Sequence, residues 1–254
     1  MFPAHDSGTV YQSMLVGLTR VRNESLIIAD TVRHLLSYCE HVILYDDFST
    51  DNTLEIAESA GGNRITIICG NEWRLERTVE ETRHRGILLD AAKQMGADWC
   101  LYLDADERLI GDLPHLTGDG YRFRLFDGYL TPERQQEYTS GDLAELKRKF
   151  GPEFRTILML FRADSARYQG LDRREPLVDG EVLLAEATIK HYGKCLSVGH
   201  WQETCQYYAE YFPEPYKSKW QERKGKALHT VSDFGRELYP WHELMKQQNE
   251  WCRL

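Results

Sequence analysis

Four short apolar runs, at 14–18, 42–45, 65–68 and 99–103, alternate with segments whose apolar residues recur at helical spacing. Ile28, Val32, Leu35, Leu36 and Cys39 share a helical face after the first run, and Leu54, Ile56 and Ala57 follow the second. Val79, Ile87, Leu88, Ala91 and Met95 line a longer helix before the fourth, stopped by Gly96. Asn52 with Glu55 three residues on predicts a capping box at the second helix, which Gly61-Gly62 ends. Strands that are apolar at every position need cover on both faces, so the alternation predicts a parallel sheet wrapped by helices. Ligands of such sheets bind beyond the carboxyl ends of the strands.

Past residue 110 the alternation stops. Residues 121–126, 156–161 and 182–191 read as further strands, and the polar stretch 131–150 as a loop or exposed helix. From Trp201 onward the chain holds 11 of its 29 aromatic residues, and Trp201, Cys205, Tyr208 and Phe212 make one helical stripe before Pro213 and Pro215. The formal charge of −9 over 254 residues, with no basic run, argues against a dedicated nucleic-acid binder and leaves room for bound cations. No apolar run approaches the ~20 residues of a membrane span, and the first residues show no basic-then-apolar leader. Six cysteines lack C-x-x-C or zinc spacing, and four, including Cys69 and Cys100, sit in apolar runs. The expectation is a cytoplasmic protein with buried free thiols and no transmembrane segment.

Three strand ends carry the chemistry. After the fourth strand comes Asp104-Ala105-Asp106-Glu107; side chains two apart on extended backbone point the same way, so Asp104 and Asp106 converge. Converging carboxylates repel unless a proton or cation lies between them, and Mg²⁺ or Mn²⁺ takes such oxygens together with substrate phosphates. A solvated Asp-rich turn explains the same spacing. After the first strand, Arg20 and Arg22 are placed to hold phosphate oxygens, or form an exposed cationic turn. After the second, Asp47 and Asp51 offer acceptors for a ribose or base edge, or an Asx turn capping the next helix. Arg83-His84-Arg85 on the third helix reads as a ligand face or a solvated one. The glycine fingerprints of dinucleotide and P-loop folds and the G-x-S-x-G elbow are absent.

Taken together, Arg22-Asn23-Glu24, the run from Asp46 to Thr53, Arg83-x-Arg85 and Asp98-Trp99-x-x-x-Leu103-Asp104-Ala105-Asp106-Glu107 resemble a family-2 glycosyltransferase of the GT-A fold. The resemblance is dense over 14–110 and thin to about 195. It implies an α/β nucleotide-diphospho-sugar transferase fold with a mixed, mostly parallel sheet flanked by helices. A catalytic domain would cover 1–200, with a nucleotide-sugar half at about 14–110 and an acceptor half at about 111–200. A helical aromatic-rich extension, 201–254, would pack on it. The resemblance implies that Asp104 and Asp106 hold a divalent metal, Mn²⁺ or Mg²⁺, completed by His191. Arg20, Arg22, Glu24, Asp47, Asp51, Arg83, Arg85 and Asp104 would contact the donor. Glu175, in Arg174-Glu175-Pro176, would be the general base, in competition with Asp172, Asp179 and Glu181.

The activity implied is transfer of a sugar from a nucleotide-diphosphate sugar to a carbohydrate or other hydroxyl acceptor, with inversion. The rivals are a nucleotidyltransferase, disfavoured by the glycine-free loop after the first strand, and an inactive nucleotide- or glycan-binding module. The aromatic stripe is expected to pack on the catalytic domain. Tyr211, Tyr216, Trp220, Tyr239 and Trp241 would supply an acceptor platform or a homo-oligomer surface.

Overall fold

The computed structural model describes residues 13–71, 73, 76–170 and 174–251. The elements run β1 (Leu15–Val21), α1 (Ile28–Leu36), β2 (His41–Asp46), α2 (Thr53–Gly61), β3 (Ile65–Cys69), α3 (Arg77–Met95), β4 (Trp99–Tyr102) and β5 (Glu107–Ile110). There follow β6 (Gly120–Tyr129), β7 (Lys149–Arg162), β8 (Ala166–Arg167), β9 (Leu177–Val178), β10 (Val182–His191), α4 (Val198–Tyr211), α5 (Tyr216–Gln221), β11 (Tyr239–Pro240) and α6 (Trp241–Trp251).

One mixed sheet has the order β3-β2-β1-β4-β7-β6-β10-β5, with β11 added beside β7. Its first four strands are parallel, as the alternating pattern predicts. Alternate residues serve opposite faces: Val16, Leu18, Ile43 and Tyr45 pack on Leu88, Leu89 and Ala92 of α3. Val21 and Leu44 pack with Ile28 and Val32 of α1 and Ala57 of α2. Gly96, in the left-handed region at φ 86, ends α3.

Beyond β4 antiparallel pairing enters, β7 pairing that way with both β4 and β6, while β10 runs parallel to β6. The polar segment between β6 and β7 is loop with one 3-10 turn at Leu143–Glu145. β5 escapes the sequence pattern because it is four residues long and begins on Glu107; it closes the sheet edge against β10. The tail belongs to the same body. Phe126 and Phe150 lie 5.6 and 5.1 Å from the Trp241 ring, and Leu244 is fully buried.

Two local expectations are corrected. Asn52 makes no side-chain cap; the Asp51 carboxylate accepts the Thr53 N–H instead, a fully charged acceptor winning at the helix start. Cys69 is exposed because β3 lies at the sheet edge, whereas Cys39, Cys100, Cys195 and Cys205 are buried free thiols.

Candidate active site

Strand order reverses between β1 and β4, and α3 makes the crossover, so a cleft opens where their carboxyl ends diverge. Asp47, one residue past β2, is fully buried at its inner end. An isolated carboxylate there would be costly, and three donors converge on it. Arg20 Nη1 reaches it at 2.9 Å, Trp73 Nε1 at 2.8 Å, and Arg77 Nη2 contacts the oxygen that Arg20 uses. Arg20 also reaches Glu81 at 2.8 Å. Burial alone would lower the Arg20 pKa, but Glu81 and its neighbours hold it well above the usual value.

Arg22 donates to the carbonyls of Asp47 and Phe48 at 2.6 and 3.2 Å, with its guanidinium 4.6 Å from the Trp73 ring. Those bonds clamp Phe48 in the left-handed region, at φ 63, a conformation worth about 1–3 kcal/mol of strain in a residue with a side chain. Asn23, at φ 53, is held by Thr50 N–H on its Oδ1 at 2.7 Å. Asp51 spends both oxygens internally, on Thr53 and on Ser25 N–H. Burial pushes its carboxyl up, yet those hydrogen bonds leave it below the usual range.

The first turns of α3 bury polar residues: Arg77, Glu80, His84 and Arg85 face inward where the later turns bury leucines. Arg85 donates to the Tyr102 hydroxyl at 3.2 Å and stands 3.9 Å from Asp104 Oδ1. Arg83 pairs with Glu80 at 2.7 Å and is half exposed. Of the two arginines named from the sequence, Arg85 thus faces the acidic pair and Arg83 does not.

The loop Asp104–Ala105–Asp106 is pinned from behind. Arg108 donates to the Ala105 and Glu107 carbonyls at 2.9 and 2.6 Å, and the Thr31 hydroxyl of α1 donates to Ala105 at 2.7 Å. Both aspartates keep about a quarter of their side-chain surface open. Asp104 accepts from the Tyr102 hydroxyl at 3.0 Å and lies 3.3 Å from Arg174, whose guanidinium also contacts the buried Glu107. Burial raises the Asp104 pKa, but Arg174 and Arg85 outweigh it and leave the carboxyl below its usual range.

Asp106 Oδ2 lies 3.2 Å from His191 Nε2, and His191 Nδ1 lies 2.5 Å from Asp127. Burial pushes Asp106 up, and His191 and Arg174 bring it down to about 2. Burial disfavours the charged imidazole, but Asp106 and Asp127 raise His191 to about 9. Gly193 lets them meet, since a Cβ there would stand 2.4 Å from Asp106 Oδ2. Glu24 is half-buried beside the pair; burial, then Asp106 and Asp104, push its carboxyl well above the usual range.

Glu175 is gripped by both terminal nitrogens of Arg122, at 3.1 and 2.8 Å. Asp179 pairs with Arg167 at 2.6 Å on the surface, Glu181 is exposed, and Asp172 lies outside the described residues. Among the described residues no three His, Cys, Asp or Glu side chains form a ready metal cage. The two open aspartates still suit a hard divalent cation, which usually takes one or two carboxylates and completes its shell with phosphates and water.

Three residues at the Asp47 end of the cleft, Trp73, Arg77 and Tyr207, carried no sequence signal. Arg77 donates to the Tyr207 hydroxyl of α4 at 2.6 Å, and Trp73 meets Tyr211 edge-on at 5.0 Å. Helix α4 thereby covers the Asp47 end of the cleft. The five tail aromatics do not form one surface: Tyr211 meets Trp73, Trp220 stacks on Tyr208 at 4.6 Å, and Trp241 packs half-buried against the core at Phe126 and Phe150.

No curated protein matches the chain. Among solved structures it is similar to a mycobacterial protein (20% identity over 47% of this chain and 42% of that one, TM-score 0.32). It is similar to glucosyl-3-phosphoglycerate synthase of Mycobacterium tuberculosis, solved with Mg²⁺ and uridine diphosphate (17%, 46% and 44%, TM-score 0.32). A third is a putative nucleotide-diphospho-sugar transferase of Desulfovibrio desulfuricans G20 (12%, 84% and 96%, TM-score 0.41). The matches to the first two span less than half the length of those proteins. Among the described residues no helix is long and apolar enough to cross a membrane. Residues 19–115, which hold Arg20, Asp47, Arg85 and the Asp104–Asp106 pair, match the model of Glycosyl transferase family 2.

Proposed function

We propose that the chain transfers a sugar from a nucleotide-diphosphate sugar to a hydroxyl acceptor, in a GT-A-type site that uses a divalent metal and inverts the anomeric carbon. The observation that carries this reading is the meeting of Arg20, Arg85, Arg174, Asp104 and Asp106 in one cleft within and beside the family-2 segment. The nucleoside would lie toward Asp47, Trp73 and Tyr207, the diphosphate toward Arg85 and the acidic pair. Asp104 and Asp106 would hold Mn²⁺ or Mg²⁺, which when bound neutralises charge growing on the leaving diphosphate. Arg85 and Arg174 stabilise the same charge from fixed positions, where preorganised donors act most strongly. Glu175, next in sequence to the Arg174 that contacts Asp104 and paired with Arg122, would take the acceptor's proton during attack. His191 orients Asp106, and a neutral His191 would be available as a further ligand.

A thermal-shift panel of nucleoside diphosphates, each with and without Mn²⁺, tests the reading. A ligand at 100 times its dissociation constant stabilises the native state by about 2.7 kcal/mol, and the shift should need Mn²⁺ and disappear in Asp104→Asn. A panel in which no nucleoside diphosphate shifts the wild type with Mn²⁺ overturns it.

A further inference from the structure

One residue closes the turn that carries the acidic pair from both sides. Glu107 N–H donates to the Asp104 carbonyl at 3.0 Å, and Glu107 Oε2 accepts the Asp104 N–H at 2.9 Å. Its other oxygen, Oε1, contacts Nη2 of Arg174. The same nitrogen stands 3.3 Å from Asp104 Oδ2, while Arg85 of α3 approaches Oδ1 of that carboxylate at 3.9 Å. Glu107 is completely buried. It opens β5, where pairing opposite His191 of β10 and the Arg108 bond to its carbonyl fix its backbone. A carboxylate so placed costs stability unless its oxygens have partners. Both partners here belong to the site: the backbone under one aspartate, and the guanidinium beside it.

We propose that Glu107 is a positioning residue that holds Arg174 at the terminal phosphate of the donor. The proposal rests on the glycosyltransferase reading and deepens it. Arg174 keeps about a third of its side-chain surface open, and a long arginine left free there would spread over many rotamers. Glu107 removes that freedom before the donor arrives, which is what preorganised stabilisation of a leaving group requires. The order of charges along the cleft identifies the phosphate. Asp47 and Arg20 mark the nucleoside end, and Glu81 of α3 lies between Arg20 at 2.8 Å and Arg85 at 3.6 Å. Arg174 comes last, on the Asp104 oxygen that Arg85 does not face. The inner phosphate therefore meets Arg85 and the terminal one Arg174.

Calorimetry on the full chain with saturating Mn²⁺ tests this role, using the nucleoside diphosphate that shifts the wild type most and its own monophosphate. Glu107→Gln keeps an oxygen for the Asp104 N–H but no charge for Arg174. It should weaken the diphosphate by about tenfold or more, the scale of one charge-assisted hydrogen bond, and leave the monophosphate within about twofold. A merely structural defect would lower both. Adding Glu107→Gln to Arg174→Ala should cost nothing further, because a residue that acts through Arg174 has no effect once it is gone. Glu107→Asp draws the charge back by one methylene and should show the same selective loss, so the test stands even where Glu107→Gln fails to melt cooperatively. Wild-type diphosphate affinity in these variants, equal loss of the monophosphate, or additive losses in the double variant overturn the role of Glu107 and leave the donor reading intact. If no nucleoside diphosphate binds the wild type with Mn²⁺, the donor reading falls and this role with it.

Discussion

The guanidinium of Arg174 stands 3.3 Å from Asp104 Oδ2 and contacts Glu107 with the same nitrogen. Without a metal, this arginine is the nearest cation to Asp104. Two like-signed charges cannot share that carboxylate cheaply, so Arg174 and a divalent ion oppose one another. Arg174→Ala is expected to bind Mn²⁺ about tenfold more tightly in calorimetry without nucleotide, a change of about 1.4 kcal/mol. Transfer should fall all the same, since the diphosphate loses a cation. Unchanged or weaker Mn²⁺ binding would show that Arg174 organises the pair for the ion.

His191 predicts a pH dependence of stability. Its folded pKa, raised to about 9 by Asp106 and Asp127 against burial, exceeds the ordinary value of 6.5, so the native state holds the proton more tightly than the unfolded one. Its stabilisation is therefore complete below about pH 6.5 and is lost as pH rises through about 9. In chelator, the urea midpoint should decline across that window, and His191→Gln should flatten the decline. A variant with the wild-type slope would assign the decline elsewhere.

Glu175→Gln tests the base. Nucleoside diphosphate affinity should stay within about twofold, while transfer falls by about 10²–10⁴, the usual weight of general base catalysis. The Gln side chain keeps an oxygen for Arg122, so the loop should hold. Normal turnover in Glu175→Gln with a dead Glu181→Gln would move the base to Glu181.

The first four strands and the acidic pair were legible because each depends on neighbours in sequence: continuous apolar runs, and carboxylates two apart. The choice between Arg83 and Arg85 was also within reach. At about 100° per residue the two point roughly 200° apart, whereas Arg77, Glu81 and Arg85 follow at i, i+4 and i+8 along one face. What could not be read is contact over long separations. Arg77 and Tyr207 are 130 residues apart, and nothing local in α4 shows that it covers the Asp47 end of the cleft. Asp51 shows the opposite difficulty: its position after β2 suited a ribose ligand and a helix cap equally, and one oxygen caps α2 through Thr53 while the other accepts from Ser25 N–H.

The tail should prove inseparable from the fold. Trp241 packs edge-on against Phe126 and Phe150, β11 pairs with β7, and Leu244 is buried in the cluster that holds Tyr192 and Cys195 beside His191. Leu244→Ala alone is expected to cost about 2–5 kcal/mol, a large share of the 5–15 kcal/mol typical of a whole domain. Truncation after residue 200 removes Trp241 and Leu244 together, along with the Trp201–Trp220 cluster and the Tyr207 bond to Arg77. The truncated chain should therefore melt without a cooperative transition and fail to bind a nucleoside diphosphate. Calorimetry decides the first point and the thermal-shift panel the second. A cooperative melt at the wild-type midpoint would show instead that 201–254 is a separable appendage, and retained nucleotide binding in that remnant would remove Tyr207 and Tyr211 from the donor end of the cleft.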